Sequence, residues 1–468
     1  MRLNSTLLIA LAAVLSACQT ARPILVSPAR PGPSPASVIT NVRVFDGLHD
    51  ALSAPSNVYL RDGRIEAIDP AATALREGHA GVSGEGATLL PGLIDLHVHL
   101  GGGDGGPPWD SDVPNVDAQS AALVYAGVTT ILSAMRDTDG PALIARIQAG
   151  ELAGPRIFVT SRGMTAPGGH PVAFYKALLP WPVSRIIIAQ RVRQLATPEE
   201  ARAAVDDEVA QGAQFIKALY DAIPPGAPHL ALPVLKALAE ESKAKGARLI
   251  VHVGRPEDAV EAAEAGASLL MHTPFEGKLT DEQVARIVTT HVPLVTTSRI
   301  PDALSEGLSG APKLSPLELE VMPPKLLESY AKKPKDYVVP GFPPEYVNGL
   351  VQDREDLAEN LRKLDAAGAV LLTGTDSGLP LVLHGAALHR ELQRLVEVGF
   401  TPAHVLQMAT SKPARLLDPR ADFGTIEPGK RADLVLVQGD PLADIHNTEH
   451  IVAVWKDGVR LERKQQNH

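Results

Sequence analysis

The chain has 468 residues, 45% hydrophobic and 21% charged, with 44 Lys and Arg against 54 Asp and Glu for a formal net charge of −10. That length suits a large barrel with a smaller companion domain, and the acidic balance argues against nucleic acid as the main partner, since such surfaces are basic. One cysteine, Cys18, excludes any disulfide within the chain, so the fold must hold without covalent staples.

In chain order, residues 1–18 read as an address. Met1-Arg2 gives a positive start, Leu7 to Val14 an apolar stretch, and Leu15-Ser16-Ala17-Cys18 a cleavage point. The apolar stretch is far short of the about 20 residues that span a bilayer. Leu-Ser-Ala-Cys resembles the bacterial lipobox, which implies a lipid anchor on Cys18, and Gln19 after it resembles a signal for the outer membrane, facing the periplasm. A plain cleaved signal is the alternative. Residues 19–36, rich in Pro, Ser and Ala, predict a flexible tether.

Both ends of the remaining chain are β-rich. Val38 to Phe45, Asn57 to Leu60 and Arg64 to Ile68 alternate as strands do, and Arg61-Asp62-Gly63 is a hairpin signal. Asp433 to Val437 and His450 to Trp455 look alike, and Lys456-Asp457-Gly458 repeats the turn chemistry. The pattern predicts one composite β-sandwich domain from residues 37–92 and 423–465.

Between them, over 93–422, helical stretches repeatedly close on Gly-Ala and run into an apolar strand, at Gly212-Ala213, Gly246-Ala247, Gly266-Ala267 and Gly368-Ala369. Glycine past the last helical turn adopts the left-handed conformation that stops a helix. Thr197-Pro198-Glu199-Glu200 supplies the matching start. With the strands at 127–132, 157–160 and 292–296, eight strand–helix units follow Leu93, which predicts an α/β (β/α)8 TIM barrel.

Chemistry in such barrels collects at the C-terminal strand ends. Those ends carry His97 and His99 on the first strand, Lys217 on the fourth, His252 on the fifth, His272 on the sixth and Asp376 on the eighth. Along a strand, positions 95, 97 and 99 share one face, so the two imidazoles can grip one ion. Six polar residues stand where apolar barrel filling should stop.

These motifs resemble the amidohydrolase superfamily, in the branch of imidazolonepropionases and metal-dependent prolidases. The resemblance rests on Pro91 to His99, Phe215-Ile216-Lys217, the two later histidines, Thr375-Asp376-Ser377-Gly378 and the tail Gly424 to Leu434. It implies hydrolysis of an amide bond, with His97, His99 and Asp376 on one zinc ion and His252 and His272 on a second. In the resembling binuclear enzymes the Lys217 position takes up carbon dioxide and becomes a carbamate that bridges both ions. A buried Lys217 paired with Asp376 beside a single ion is the plainer alternative. Water shared by two ions would ionise near neutral pH, and Asp376 would serve as base and then acid.

Weaker candidates are His170, in a Gly-Gly-His loop like that of the resembling branch, and Tyr220, three residues after Lys217, both as substrate contacts. A solvated loop histidine and a packed rim tyrosine are the competing readings. Arg162 and Arg299 could meet a substrate carboxylate or make salt bridges; His384 and His389 fall outside the strand ends. The proline-broken connection from Ser298 to about Tyr346 predicts a lid, helical over 317–330.

The leading reading is a dipeptidase, prolidase or carboxypeptidase-like amide hydrolase of small substrates, with self-association left open. A mononuclear cyclic-amide hydrolase or deaminase is the second. The deaminase form usually has a Glu soon after the strand-five histidine, where this chain has Val253-Gly254-Arg255-Pro256. A non-catalytic binding lipoprotein is the third.

Overall fold

The computed structural model describes residues 25–27, 36–110, 113–136 and 138–464. The apolar leader and Cys18 lie outside the described residues, and among those described no helix is long and apolar enough to cross a membrane.

Eight strands drawn from both ends of the chain form one sheet: β1 (Ser37–Val44), β2 (Ser56–Arg61), β3 (Arg64–Pro70), β4 (Ala80–Ser83), β5 (Ala87–Pro91), and, from the other terminus, β16 (Leu434–Gln438), β17 (Ile451–Lys456) and β18 (Val459–Arg460). The spatial order is β18-β17-β16-β5-β1-β2-β3, with β4 beside β1. Both Asp-Gly pairs turn as expected, with positive φ at Asp62 (50°), Gly63 (79°), Asp457 (47°) and Gly458 (75°), the backbone signature of a tight hairpin that matches strand twist. β1 is irregular near Asn41, whose φ is 53°. Its first half pairs with β2 and β4 and its second half with β5, so the sheet folds around a core that includes Ile39, Leu60, Leu89, Leu436 and Trp455.

One expectation is corrected here. Residues 25–27, inside the stretch read as a tether, are docked: Val26 pairs with Arg463, and Lys464 N–H donates to the Leu25 carbonyl at 2.8 Å. Leu25 and Val26 are both buried. Burying two aliphatic side chains gains about 1.5–3 kcal/mol each, enough to offset about 1–2 kcal/mol of backbone ordering per residue.

The middle of the chain is the barrel. Its strands are β6 (Leu93–Val98), β7 (Val128–Ser133), a third strand split at Val159 into β8 (Arg156–Phe158) and β9 (Thr160–Thr165), then β11 (Phe215–Leu219), β12 (Arg248–His252), β13 (Leu269–Leu270), β14 (Leu294–Val295) and β15 (Leu371–Leu372). A short extra strand, β10 (Val192–Gln194), lies outside β9. All barrel neighbours run parallel. The ring closes where Leu96 N–H donates to the Thr373 carbonyl at 3.1 Å and Asp376 N–H to the His97 carbonyl at 2.8 Å.

The four rhythm glycines all carry positive φ: Gly212 (89°), Gly246 (72°), Gly266 (98°) and Gly368 (84°). They follow the helices Pro198–Ala210, Leu232–Ala244, Pro256–Glu264 and Arg354–Ala366. Thr197 and Glu200 form the reciprocal cap at the first of these.

The long connection after β14 is more helical, and more broken, than expected. It contains helices Ile300–Ser309, Pro316–Val321, Pro324–Tyr330 and Pro344–Gln352. The single helix anticipated over 317–330 is interrupted at Met322-Pro323, because two successive prolines supply no N–H to carry the ladder across. Tyr330 anchors the segment: its hydroxyl donates to the Gly105 carbonyl at 2.6 Å and accepts from Leu381 N–H at 3.0 Å. Farther on, Phe342 meets Phe174 with ring centroids 5.7 Å apart, and the Tyr346 hydroxyl donates to Glu276 at 2.8 Å. The segment therefore touches loops that follow the first, third, sixth and eighth barrel strands.

Candidate metal centre

At the C-terminal end of the barrel, five imidazoles form a row. Ring centroids step 5.4 Å from His99 to His97, 4.6 Å to His272, 4.3 Å to His252 and 5.0 Å to His170. Asp376 faces the first part of the row: its Oδ1 lies 3.1 Å from His99 Nε2 and 3.4 Å from His97 Nε2. Ligand atoms of His97, His272 and Asp376 all fall within 4.8 Å of one another. Farther along, His272 Nε2 and His252 Nδ1 face each other at 3.0 Å.

The fold dictates this convergence. Alternation along β6 puts Asp95, His97 and His99 on one face. Asp95 accepts from His97 N–H (3.0 Å), Thr375 N–H (3.1 Å) and the Thr375 hydroxyl (2.7 Å). Asp95 thus ties the first strand to the eighth directly beneath the two ends that carry His97 and Asp376. Gly374 lets those ends touch, because a Cβ there would stand 2.9 Å from His97 Cβ. Asp376 itself has φ 61°, a left-handed conformation that Asp tolerates better than most residues.

The donor set fits a cation. A carbonyl can only accept, so His97 Nδ1, 3.0 Å from the Met271 carbonyl, carries the proton and Nε2 is left with its lone pair toward Asp376. Burial drives His97 and His252 well below the usual histidine range and takes His272 down to about 3. The rings are therefore held neutral, the form that binds metal. Burial alone would raise Asp376, but His97, His99 and His272 around it hold its carboxyl far below the usual range. Two buried imidazole nitrogens 3.0 Å apart share at most one proton, an arrangement that a cation between them would relieve.

Lys217 lies in β11 level with Ile250 of β12 and is 2% exposed. It stands close enough to His97, His252 and His272 for its ammonium to oppose protonation of all three. The structure thus brings together His97, His99, Lys217, His252, His272 and Asp376. It also draws in His170, whose Nδ1 is 2.8 Å from Asp221 Oδ2.

Tyr220 is placed differently. Its hydroxyl donates to Glu261 and its ring packs on His229 with centroids 4.3 Å apart, which is the packed-rim placement. Arg162 pairs with Glu208 at 2.7 Å and Arg299 with Glu306 at 2.9 Å. His384 and His389 bond the carbonyls of His99 and Ala126. Sequence reading passed over three residues of this site: Asp95, Thr297, whose hydroxyl is 2.8 Å from His272 Nδ1, and Asp221. Asp221 carried a usable signal, an acid four positions after the strand-borne Lys217.

Strand order and the placement of these residues define a parallel α/β barrel with a candidate metal centre at its mouth. The amidohydrolase family profile matches residues 88–461, and the chain belongs to that family of enzymes, which hydrolyse carbon–nitrogen bonds. Among curated relatives, ochratoxinase of Aspergillus niger is 24% identical over 404 residues, covering 79% of this chain and 75% of that one. Imidazolonepropionase of Klebsiella pneumoniae is 36% identical over only 90 residues, 19% of this chain and 22% of that one. A crystal structure of a Xaa-Pro dipeptidase with bound methionine shares the fold, with a TM-score of 0.74 at 23% identity, covering 92% of this chain and all (100%) of that one.

The Asp95 seam gives a direct test. Asp95→Ala leaves two buried N–H groups and a hydroxyl without their acceptor, so denaturant unfolding should show a loss of at least about 2 kcal/mol. Unchanged stability would mean that the seam is held by other contacts.

Proposed function

We propose that the protein is a binuclear, zinc-dependent hydrolase of amide bonds in small substrates, with dipeptides, including Xaa-Pro, and N-acyl amino acids as the class to try first. The observation that carries this reading is the row of imidazoles with Asp376 and Lys217 at the barrel mouth. Similarity to an ochratoxinase and to a dipeptidase structure supports the substrate class.

His97, His99 and Asp376 would hold one ion, and His252 and His272 the other. Lys217, as a carbamate formed with carbon dioxide, would reach both. An ammonium there would be repelled by two dications, whereas a carbamate is an anion with two donor oxygens. When bound, the ions would acidify water and polarise the scissile carbonyl. Asp376 would take up a proton and deliver it to the departing amine, which requires a carboxylate that is ionised at rest. Its depressed pKa meets that requirement. His170 would contact substrate.

A cleft of about 490 Å³, lined by Pro225, Glu276, Pro343, Tyr346, Leu350 and Asp353, would admit the substrate. Glu276 follows His272 by four residues, and its Oε1 would lie 2.7 Å from a Cβ on Gly254, two residues past His252. The helix Pro344–Gln352 supplies one wall of this cleft, and Glu276 links its other side to the loop that follows His252.

Elemental analysis should find two ions per chain, falling to one or none in Lys217→Ala. A single ion unaffected by losing Lys217 would move the mononuclear cyclic-amide hydrolase to first place. Asp376→Asn should lower kcat by about 10²–10⁴-fold while inhibitor binding survives; equal losses in both would sink its role as base and acid. No hydrolysis of dipeptides, N-acyl amino acids or lactams by the two-metal protein would favour the non-catalytic lipoprotein.

We also propose export as a lipoprotein of the outer membrane, anchored through Cys18 and facing the periplasm, with self-association as a homo-oligomer an open point that sedimentation addresses. Cys18→Ser should move the protein from the membrane fraction to the soluble fraction and abolish labelling by a fatty acid. Membrane retention without the cysteine would refute the anchor.

A further inference from the structure

The imidazole row extends past the residues needed to hold two ions, and its far end is organised by Asp221. This carboxylate follows β11 by two residues and is 2% exposed. Its Oδ1 accepts from Ile223 N–H at 3.1 Å, which fixes it to its own loop. Its Oδ2 accepts from His170 Nδ1–H at 2.8 Å and lies 3.1 Å from His252 Nε2. That nitrogen is buried and is satisfied by no hydrogen bond, so the carboxylate beside it is an electrostatic neighbour. The opposite nitrogen, Nδ1, is the one that faces His272 at 3.0 Å.

An imidazole that binds a metal uses one nitrogen and keeps its proton on the other, and the partner of the second nitrogen decides which is which. A carboxylate offers only acceptor atoms. Set against His252 Nε2, it stabilises the tautomer with the proton there and disfavours a lone pair facing it. Nδ1 is then the ligand, on the side where His272 stands.

We propose that Asp221 is a positioning residue for the ion shared by His252 and His272, holding His252 in its Nδ1-ligating tautomer and joining that ligand to His170 at the rim. The inference rests on the binuclear reading above. His170 is brought in by its loop: a Cβ on Gly169 would stand 2.6 Å from the Pro228 carbonyl oxygen and from Thr165 Oγ1. Only glycine allows the turn that sets the next side chain against Asp221. The Gly-Gly-His run thereby acquires a structural reason. The charge of Asp221 matters, since the amide of an asparagine could turn its NH2 toward His252 and favour the other tautomer. Ligand atoms of His170, Asp221 and His252 lie within 4.8 Å of one another, so a third ion held directly by this group is the competing outcome.

Zinc release into excess chromogenic chelator tests the idea on the full chain. Asp221→Asn keeps an oxygen for Ile223 N–H, so its loop turn survives. The wild type should release two ions. In Asp221→Asn one should leave at the wild-type rate and the other 10–100-fold faster, the usual effect of losing such a partner. His252→Ala should lose that same ion, and adding Asp221→Asn to it should change nothing more. A general structural defect would instead speed both ions and add to His252→Ala. Equal release of both ions at the wild-type rate in Asp221→Asn would overturn the proposal alone, as would three ions in the wild type. One ion in the wild type would overturn the binuclear reading and this inference with it. A wild-type measurement stands apart from any folding defect of the variants: the cobalt-substituted protein should show a slowly exchanging, hyperfine-shifted proton on His252 Nε2, and its absence counts against the proposal.

Discussion

The seam between the first and eighth barrel strands is the constraint on which the rest of the site depends. A parallel barrel leaves its last strand to find its first with no short connection between them. Here the closing bonds run from Leu96 to Thr373 and from Asp376 to His97, with the Asp95 carboxylate bonded to both Thr375 and the His97 backbone. Asp95 is a costly choice: burial pushes its pKa up to about 7, and an unsatisfied carboxylate at that depth would be untenable. Three donors make it tolerable. The same bonds hold His97 and Asp376 in register, and they come from chain positions about as far apart as the barrel permits. They also support the left-handed backbone of Asp376.

Most of this was legible because it is local. The four Gly-Ala helix stops, the Thr197 cap and the two Asp-Gly hairpins each depend on the conformational range of one or two residues, and each appears where the sequence placed it. The polar strand ends that converge at the barrel mouth followed from a period of two along β6 and from the barrel rule. What escaped the sequence were contacts set by three-dimensional packing. That Leu25 and Val26 dock on residue 463, or that two prolines at 323 and 324 would split one helix into two, depends on what lies opposite. Asp221 illustrates the limit most clearly. Its proximity to Lys217 is visible in the sequence, but its meaning comes from His170 and His252, 51 and 31 positions away. Tyr220, one residue before it, was singled out instead, yet a one-residue step along the chain sends its hydroxyl out to Glu261.

Electrostatics then explains why the row is histidine-rich and not carboxylate-rich. Five imidazoles can sit within about van der Waals reach of each other because an imidazole can be neutral, and burial holds His97, His252 and His272 in that form. Five carboxylates could not, since each would carry a charge that the barrel mouth cannot solvate. The chain places just one acid among the first rings, Asp376, and one at the far end, Asp221. Each is next to histidines that lower its cost. The two acids nevertheless differ in what they can do. Asp376 stands on the side of its ring partners that faces a prospective ion, whereas Asp221 stands behind His252, on the nitrogen opposite His272.

The strand ends and the long connection after β14 are held in different ways. The candidate metal-site residues His97, His252, His272 and Asp376 ride on or just beyond strand ends that backbone ladders fix. The segment between β14 and β15 contributes Tyr346, Leu350 and Asp353 to a cleft that Glu276 also lines. Tyr330 bonds that segment to backbone on two loops, at Gly105 and Leu381, so its near end is fixed. Its far end touches the cleft through side chains alone, Phe342 on Phe174 and Tyr346 on Glu276. Side-chain contacts can be exchanged without disturbing the barrel, and backbone bonds cannot. Residues 342–353 are therefore free to change without disturbing the barrel, whereas the strand ends beneath them are held by backbone bonds that fix His97 and Asp376 in register.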